Sequence, residues 1–221
     1  MRLTVFNGSP RGEKSNSRVL LEAFLKGYLR TWGKVTAVHY LREVRDHDEM
    51  VRNFLDSSNV IIAFPLYVDS MPAPVKAFIE RLEPYKGSME DVRLGFVVQS
   101  GFPESIHCRG VEKYLVKLSS RLGCQYLGTV IRGGVESIRY GPGWTTSKML
   151  SSFTKLGENF GKTGQLDRNI INRLGKRELF PTVFIPLLRI LNSSGLLGAF
   201  WDKSLKENNA YSGRFARPYQ E

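Results

Sequence analysis

The 221-residue chain is 42% hydrophobic and 24% charged, which fits one sizeable globular core with room for a small added unit and excludes a disordered or fibrous chain. Its net charge of +11 favours anionic partners such as phosphates and nucleotides. The excess is spread out: residues 166–221 hold nine basic and five acidic side chains, and with no lysine-arginine run or nucleic-acid motif, no nucleic-acid partner is expected.

The N-terminus runs directly into a strand-like segment without the pattern of a signal peptide, so a cytoplasmic location is expected. Leu3 to Phe6 read as a short buried strand closed by Asn7-Gly8-Ser9-Pro10. A small polar loop reaches Ser17, and Val19, Leu20, Ala23, Phe24 and Tyr28 then share one helical face. Residues 34–41 alternate and form a second strand, and residues 48–57 a short helix. The apolar run 60–64 (VIIAF) is what a central parallel strand covered on both faces requires, and Pro65 ends it. Val75, Phe78, Ile79 and Leu82 keep helical spacing behind Pro72 and Pro74, which suit a helix start. Residues 92–99 form a fourth strand, followed by a helix stopped at Gly123. Residues 125–131 form a fifth strand, and 145–160 a further helix after a Gly-rich stretch.

Five β-α repeats imply right-handed crossovers and one parallel sheet with helices on both sides. The fold class expected is α/β, a three-layer sandwich with a five-stranded parallel sheet in the order 2-1-3-4-5 spanning residues 1–165. Residues 166–221 are expected to be a C-terminal helical extension. Its apolar part, from Phe180 to Trp201, is too interrupted by Pro186, Arg189, Asn192 and Gly195 to span a bilayer. Packing on its own domain or on a partner subunit is expected, with contact to a membrane surface as the alternative.

An open sheet of this order binds ligands beyond the carboxyl ends of its strands, where the order reverses. Three loops reach that edge. The first, Gly8 to Ser17, joins a strand to a helix N-terminus. Free amides, Ser9, Ser15, Asn16, Ser17 and the planar cation of Arg11 make it a seat for phosphate, although the same residues also serve a plain capped helix. The second, Pro65, Leu66, Tyr67 and Val68 onward, offers a wall suited to a flat heteroaromatic ring. The third is Ser100, Gly101 and Phe102, where glycine permits close approach and the phenylalanine can cover a ring face. Neither GxGxxG nor a Walker A loop follows the first strand, and Gly157 to Thr163 is one residue short of the latter.

Cys108 and Cys124 lie 16 positions apart with no CxxC partner, and His39, His47 and His107 lack metal-ligand spacing, so no disulfide framework or metal site is expected. Cys108 reads as a structural thiol at a helix start, and His107 as a solvated histidine beside it. Tyr140 and Trp144 lie where they either shape a substrate pocket or simply pack.

In NGSPRGEKSNS, FPLYVDSMPAPVKAFIERL and SGFPE the sequence resembles the NADPH-dependent FMN reductases and NAD(P)H-quinone reductases of the flavodoxin-like group. The resemblance covers roughly residues 1–165. It implies FMN held non-covalently, its phosphate at Ser9, Arg11, Ser15, Asn16 and Ser17. The isoalloxazine and ribityl groups fall at Pro65, Leu66, Tyr67 and Val68, and the ring edge at Ser100, Gly101 and Phe102. It also implies NAD(P)H as hydride donor, a small-molecule electron acceptor, and catalysis by the flavin without a catalytic side chain. A homodimer or tetramer is expected. Val68-Asp69 departs from the Trp-Gly of many relatives. A non-enzymatic electron carrier of the flavodoxin type, or a flavin-free binding module, remains the competing reading.

Overall fold

The computed structural model describes residues 2–31, 34–136, 138, 143–176, 178–179, 182–193 and 196–217. Five parallel strands form one sheet in the order β2-β1-β3-β4-β5: β1 Arg2–Asn7, β2 Lys34–Tyr40, β3 Asn59–Pro65, β4 Arg93–Gln99 and β5 Gln125–Arg132. This is the order expected from the sequence. All seven residues of β3 are buried, as a strand paired on both sides and covered on both faces must be.

Alternation along the strands splits the core in two. Val60, Ile62, Phe64, Leu94, Phe96 and Val98 face one cluster, completed by helices α2 His47–Leu55, α3 Ala73–Arg81 and α4 Arg109–Leu122. Ile61, Ala63 and Val97 face the other, which is closed by α1 Asn16–Tyr28, α5 Gly143–Thr163 and α6 Arg168–Leu174. Helix ends follow their sequence signals. Ser15 caps α1, Pro74 lies in the first turn of α3, and Gly123 ends α4 at φ +84°.

The near-match to a phosphate loop, Gly157 to Thr163, lies inside α5 and has a packing role. A Cβ on Gly157 would lie 1.9 Å from the Phe24 carbonyl oxygen, and one on Gly27 would lie 1.8 Å from that of Thr154. Helices α1 and α5 therefore touch backbone to backbone, which only glycine allows.

The boundary expected at residue 165 moves. The first compact unit runs from Met1 to Leu179 and the second from Phe180 to Glu221. Leu166, Ile170 and Leu174 are buried in the second core cluster, and Asp167 caps α6 by accepting from the Ile170 amide at 3.0 Å. Further along, the Ile106 amide donates to the Glu178 carbonyl at 3.2 Å, and Arg109 binds the Glu178 carboxylate. A helix of seven residues is too short for its periodicity to stand out, which is why the sequence places the limit too early. The second unit contains α7 Ile185–Ser193 and α8 Leu196–Glu207. Among the described residues, no helix is long and apolar enough to cross a membrane.

Candidate functional site

The first loop is organised by Asn7, the buried last residue of β1. Its Nδ2 donates to the Gly12 carbonyl at 3.2 Å and to Ser15 Oγ at 3.1 Å, and its Oδ1 accepts from the Ser9 amide at 3.0 Å. The Gly8 amide donates to the Ala63 carbonyl at 2.7 Å, which ties the loop to β3. Several other groups also turn inward. The amides of Arg11 and Gly12 donate to Ser9 Oγ (3.4 Å) and the Ser9 carbonyl (2.9 Å). Ser15 Oγ donates to the Gly12 carbonyl at 2.6 Å while accepting from the Arg18 amide at 3.1 Å. Ser17 is fully buried, and its hydroxyl accepts from Gln99 Nε2 at 3.3 Å.

The loop is thus a partly closed turn. Its remaining polar groups are the Ser9 hydroxyl, buried with its oxygen accepting from the Arg11 amide, the exposed Arg11 guanidinium and the start of α1, where the amides of Asn16 and Ser17 have no intrahelical acceptor. These groups, with the positive end of the helix dipole, favour an anion.

The second loop leaves β3 at Pro65. The Leu66 amide donates to the Gln99 carbonyl at 2.7 Å, holding this loop against the end of β4. Tyr67 and Ser70 exchange backbone hydrogen bonds at 2.9 and 3.0 Å, with Val68 at φ 48° and Asp69 at φ 56° between them. Both central residues are left-handed, as in a tight I′-type turn that normally takes Asn and Gly. A β-branched side chain there costs about 1–2 kcal/mol. No burial offsets it, since Val68 is 99% exposed.

The third loop is pinned through Ser100, whose amide donates to the Arg132 carbonyl and whose Oγ donates to the Phe102 carbonyl, both at 3.0 Å. Phe102 is 61% exposed and lies 4.8 Å, centroid to centroid, from the His107 ring. His107 Nε2 in turn meets Glu104 Oε2 at 3.2 Å. Cys108 is fully buried, and burial pushes its thiol up to about 11, so it is no nucleophile at neutral pH.

Eight of the expected site residues meet in one narrow cleft of about 70 Å³: Ser9, Arg11, Asn16, Pro65, Leu66, Tyr67, Ser100 and Gly101. Ser15, Ser17, Val68 and Phe102 do not line it. The first two are engaged within the fold, and the last two stand exposed on the loops that border it.

Two further lining residues escaped the sequence reading, Gln99 and Glu136. Gln99 is the polar end of β4 after the apolar run Phe96, Val97 and Val98, a signal visible in the sequence. Glu136 follows the glycines after β5, and its Oε1 accepts from Asn16 Nδ2 at 3.5 Å. Arg11 and Glu136 are the oppositely charged groups of the cleft, so cation and carboxylate are both available to a polar ligand. Tyr140 lies outside the described residues, and Trp144 is 73% exposed. Among the described residues no cluster capable of holding a metal ion occurs.

Residues 1–140 match the family model described as flavodoxin-like fold. No curated protein matches the sequence. Solved structures do. An NAD(P)H:quinone oxidoreductase from Methanothermobacter marburgensis superposes with a TM-score of 0.58 at 19% identity, covering 72% of this chain and 96% of that one. An FMN-dependent NADH-azoreductase from Bacillus anthracis in complex with FMN gives 0.57 at 13% identity, over 73% and 100%. An NADPH-quinone reductase from P. pentosaceus gives 0.57 at 17% identity, over 72% and 99%. At such identities the likeness speaks for the fold. With the family match over 140 residues, the strand order and the cleft at the strand ends, the chain belongs to the flavodoxin-like family.

Proposed function

We propose that this protein is an FMN-dependent NAD(P)H oxidoreductase that passes hydride from a nicotinamide cofactor through the flavin to a small acceptor such as a quinone, flavin, azo or nitro compound. The observation that supports the reading is the meeting of three loops at one sheet edge, with Ser9, Arg11 and Asn16 from the first and Leu66 and Tyr67 from the second. Proteins of this fold described as FMN-dependent azoreductase and as quinone reductase support the reaction class.

The donor chemistry matches the group, while the cleft itself, about 70 Å³, is smaller than the usual small-molecule site of about 300–1,000 Å³. Arg11 supplies a planar cation, and Ser9 and the first amides of α1 supply neutral donors, the chemistry a dianionic phosphate needs. Tyr67 and Leu66 suit one face of a flat ring, and Glu136 suits the hydroxyls of a ribityl chain as an acceptor. When bound, FMN supplies the hydride chemistry itself.

The chain's own residues bind and orient. Asn7 sets the shape of the first loop from within. The Gln99 carbonyl holds the Leu66 amide, while its side chain holds Ser17, so one residue at the end of β4 couples two of the loops. No proton transfer by a side chain is required, consistent with a buried Cys108 and with His107 occupied by Glu104 and Phe102. The molecule is proposed to act as a homodimer or tetramer in the cytoplasm.

The test is an absorbance spectrum of the purified full chain before and after NADPH, followed by turnover with a quinone. A yellow, NADPH-bleachable protein that reduces the quinone is expected. Arg11→Ala should weaken FMN about tenfold, the loss of one charge-assisted contact, and leave riboflavin binding unchanged. Absence of flavin uptake, or equal binding of FMN and riboflavin by the parent protein, would overturn the phosphate seat; flavin uptake without turnover would make the protein a carrier.

A further inference from the structure

Where β2 ends, a side chain from outside the sheet holds the backbone. β2 is an edge strand with β1 as its neighbour on one side, so beyond Tyr40 the chain has no second strand to steady it. The next residue, Leu41, is fully buried and is fixed at both of its peptide groups. Its amide donates to the Asn7 carbonyl at 2.9 Å, and its carbonyl lies 2.7 Å from Nε2 of His47, the first residue of α2. A carbonyl only accepts, so the ring hydrogen sits on Nε2.

The other ring nitrogen tells what the histidine contributes. His47 is fully buried, with its ring at 80° to that of Phe78 and 5.6 Å between centroids. Its Nδ1 is sealed from solvent and has no hydrogen-bond partner among the described residues. A buried polar atom without a partner destabilises a fold, and an apolar side chain would fill this space without leaving one. What histidine adds, and leucine or phenylalanine cannot, is the donor to Leu41.

Leu41 in turn holds Asn7, and Asn7 shapes the first loop, its side chain reaching the Ser9 amide, the Gly12 carbonyl and Ser15 Oγ at 3.0–3.2 Å. We infer that His47 is a positioning residue for that loop: through Leu41 it fixes Asn7, and through Asn7 the spacing of Ser9, Arg11 and the start of α1. Toward FMN the inference rests on the flavin reading above and extends it; toward the shape of the loop it stands on these contacts alone. His47 does not line the cleft, so it acts through the backbone.

Two variants separate this role from simple packing. His47→Leu fills the space and removes the donor, and His47→Gln keeps an N–H at about the reach of Nε2. Amide hydrogen exchange of the full chain without added flavin reads the loop directly. In His47→Leu the amides of Leu41 and Ser9 should exchange about tenfold faster than in the parent, the loss of one buried hydrogen bond, and His47→Gln should restore both. His47→Leu should also weaken FMN about tenfold while leaving riboflavin, which lacks the phosphate, unchanged, and His47→Gln should recover FMN binding. A Ser9 amide that does not respond, equal weakening of FMN and riboflavin, or a folded His47→Gln that rescues neither readout overturns the inference. Should His47→Leu fail to fold, the parent decides: across a urea series its Leu41 and Ser9 amides should open together with one protection factor, and separate openings overturn the coupling. A parent that takes up no flavin removes the flavin reading, and the exchange result alone then decides the role of His47.

Discussion

Between α1 and α5 the chain places glycine where no other residue fits, whereas at the Tyr67–Ser70 turn it places valine and aspartate where glycine or asparagine would be easier. In the first region sequence and backbone agree: Gly27 and Gly157 let two helices meet at their backbones. In the second they conflict, since Val68 and Asp69 are both left-handed and Val68 is 99% exposed. Strain of this kind persists where the surrounding structure imposes it, and it gathers at ligand-binding loops. The helix contact answers to stability, and the strained turn stands on a loop that borders the cleft.

The contrast can be broken by substitution. Gly157→Ala is expected to cost about 3 kcal/mol, the upper end for overpacking, because its Cβ meets a carbonyl oxygen that cannot step aside alone. Urea unfolding midpoints measure this; a loss no larger than that of an exposed surface variant would show that the helices separate readily.

The buried thiols come next. Cys108 and Cys124 are both pushed up to about 11 by burial, from an ordinary value of 9.0. The folded protein then keeps protons that the unfolded chain releases, so stability is retained below pH 9 and falls as pH rises from 9 towards 11, by about 2–3 kcal/mol per thiol. Burial raises Tyr28 and Tyr126 as well, in the same direction. Cys108→Ala should flatten this alkaline slope, and a thiol reagent should label the native protein only as fast as it unfolds.

Val68→Gly is expected to stabilise the fold by about 1 kcal/mol, since it removes the strain and loses no buried surface. The same variant should hold flavin more weakly if the strained turn serves the ring. Unchanged stability would mean that the turn relaxes when the side chain is cut back.

The smallest effect sharpens the comparison from outside both regions. Arg109 holds the Glu178 carboxylate below its ordinary range through a side-chain hydrogen bond. The contribution is present above the unfolded carboxylate value and is lost as pH falls. Half exposed and screened, it is worth under about 1 kcal/mol, so Glu178→Gln should soften the acid-side decline only slightly.

Much of this was legible in order along the chain. Alternating and continuous apolar runs located all five strands, and proline, serine and glycine marked where helices begin and end, because those signals are local. The cleft was legible as three loops of complementary composition. Ser15 and Ser17 read there as ligand donors, yet a hydroxyl that caps a helix and one that accepts from Gln99 look alike in sequence. Glu136 was hidden because its partner, Asn16, lies 120 positions away.

The periodic burial of side chains by itself determined a parallel sheet layered with helices, since that pattern depends only on neighbours within a few residues. Which polar groups turn inward and which remain for a ligand was decided by the tertiary structure. So were the glycine contact between α1 and α5 and the extension of the core to Leu174. Each of these depends on a distance between segments far apart in the chain, and no local rule carries that distance.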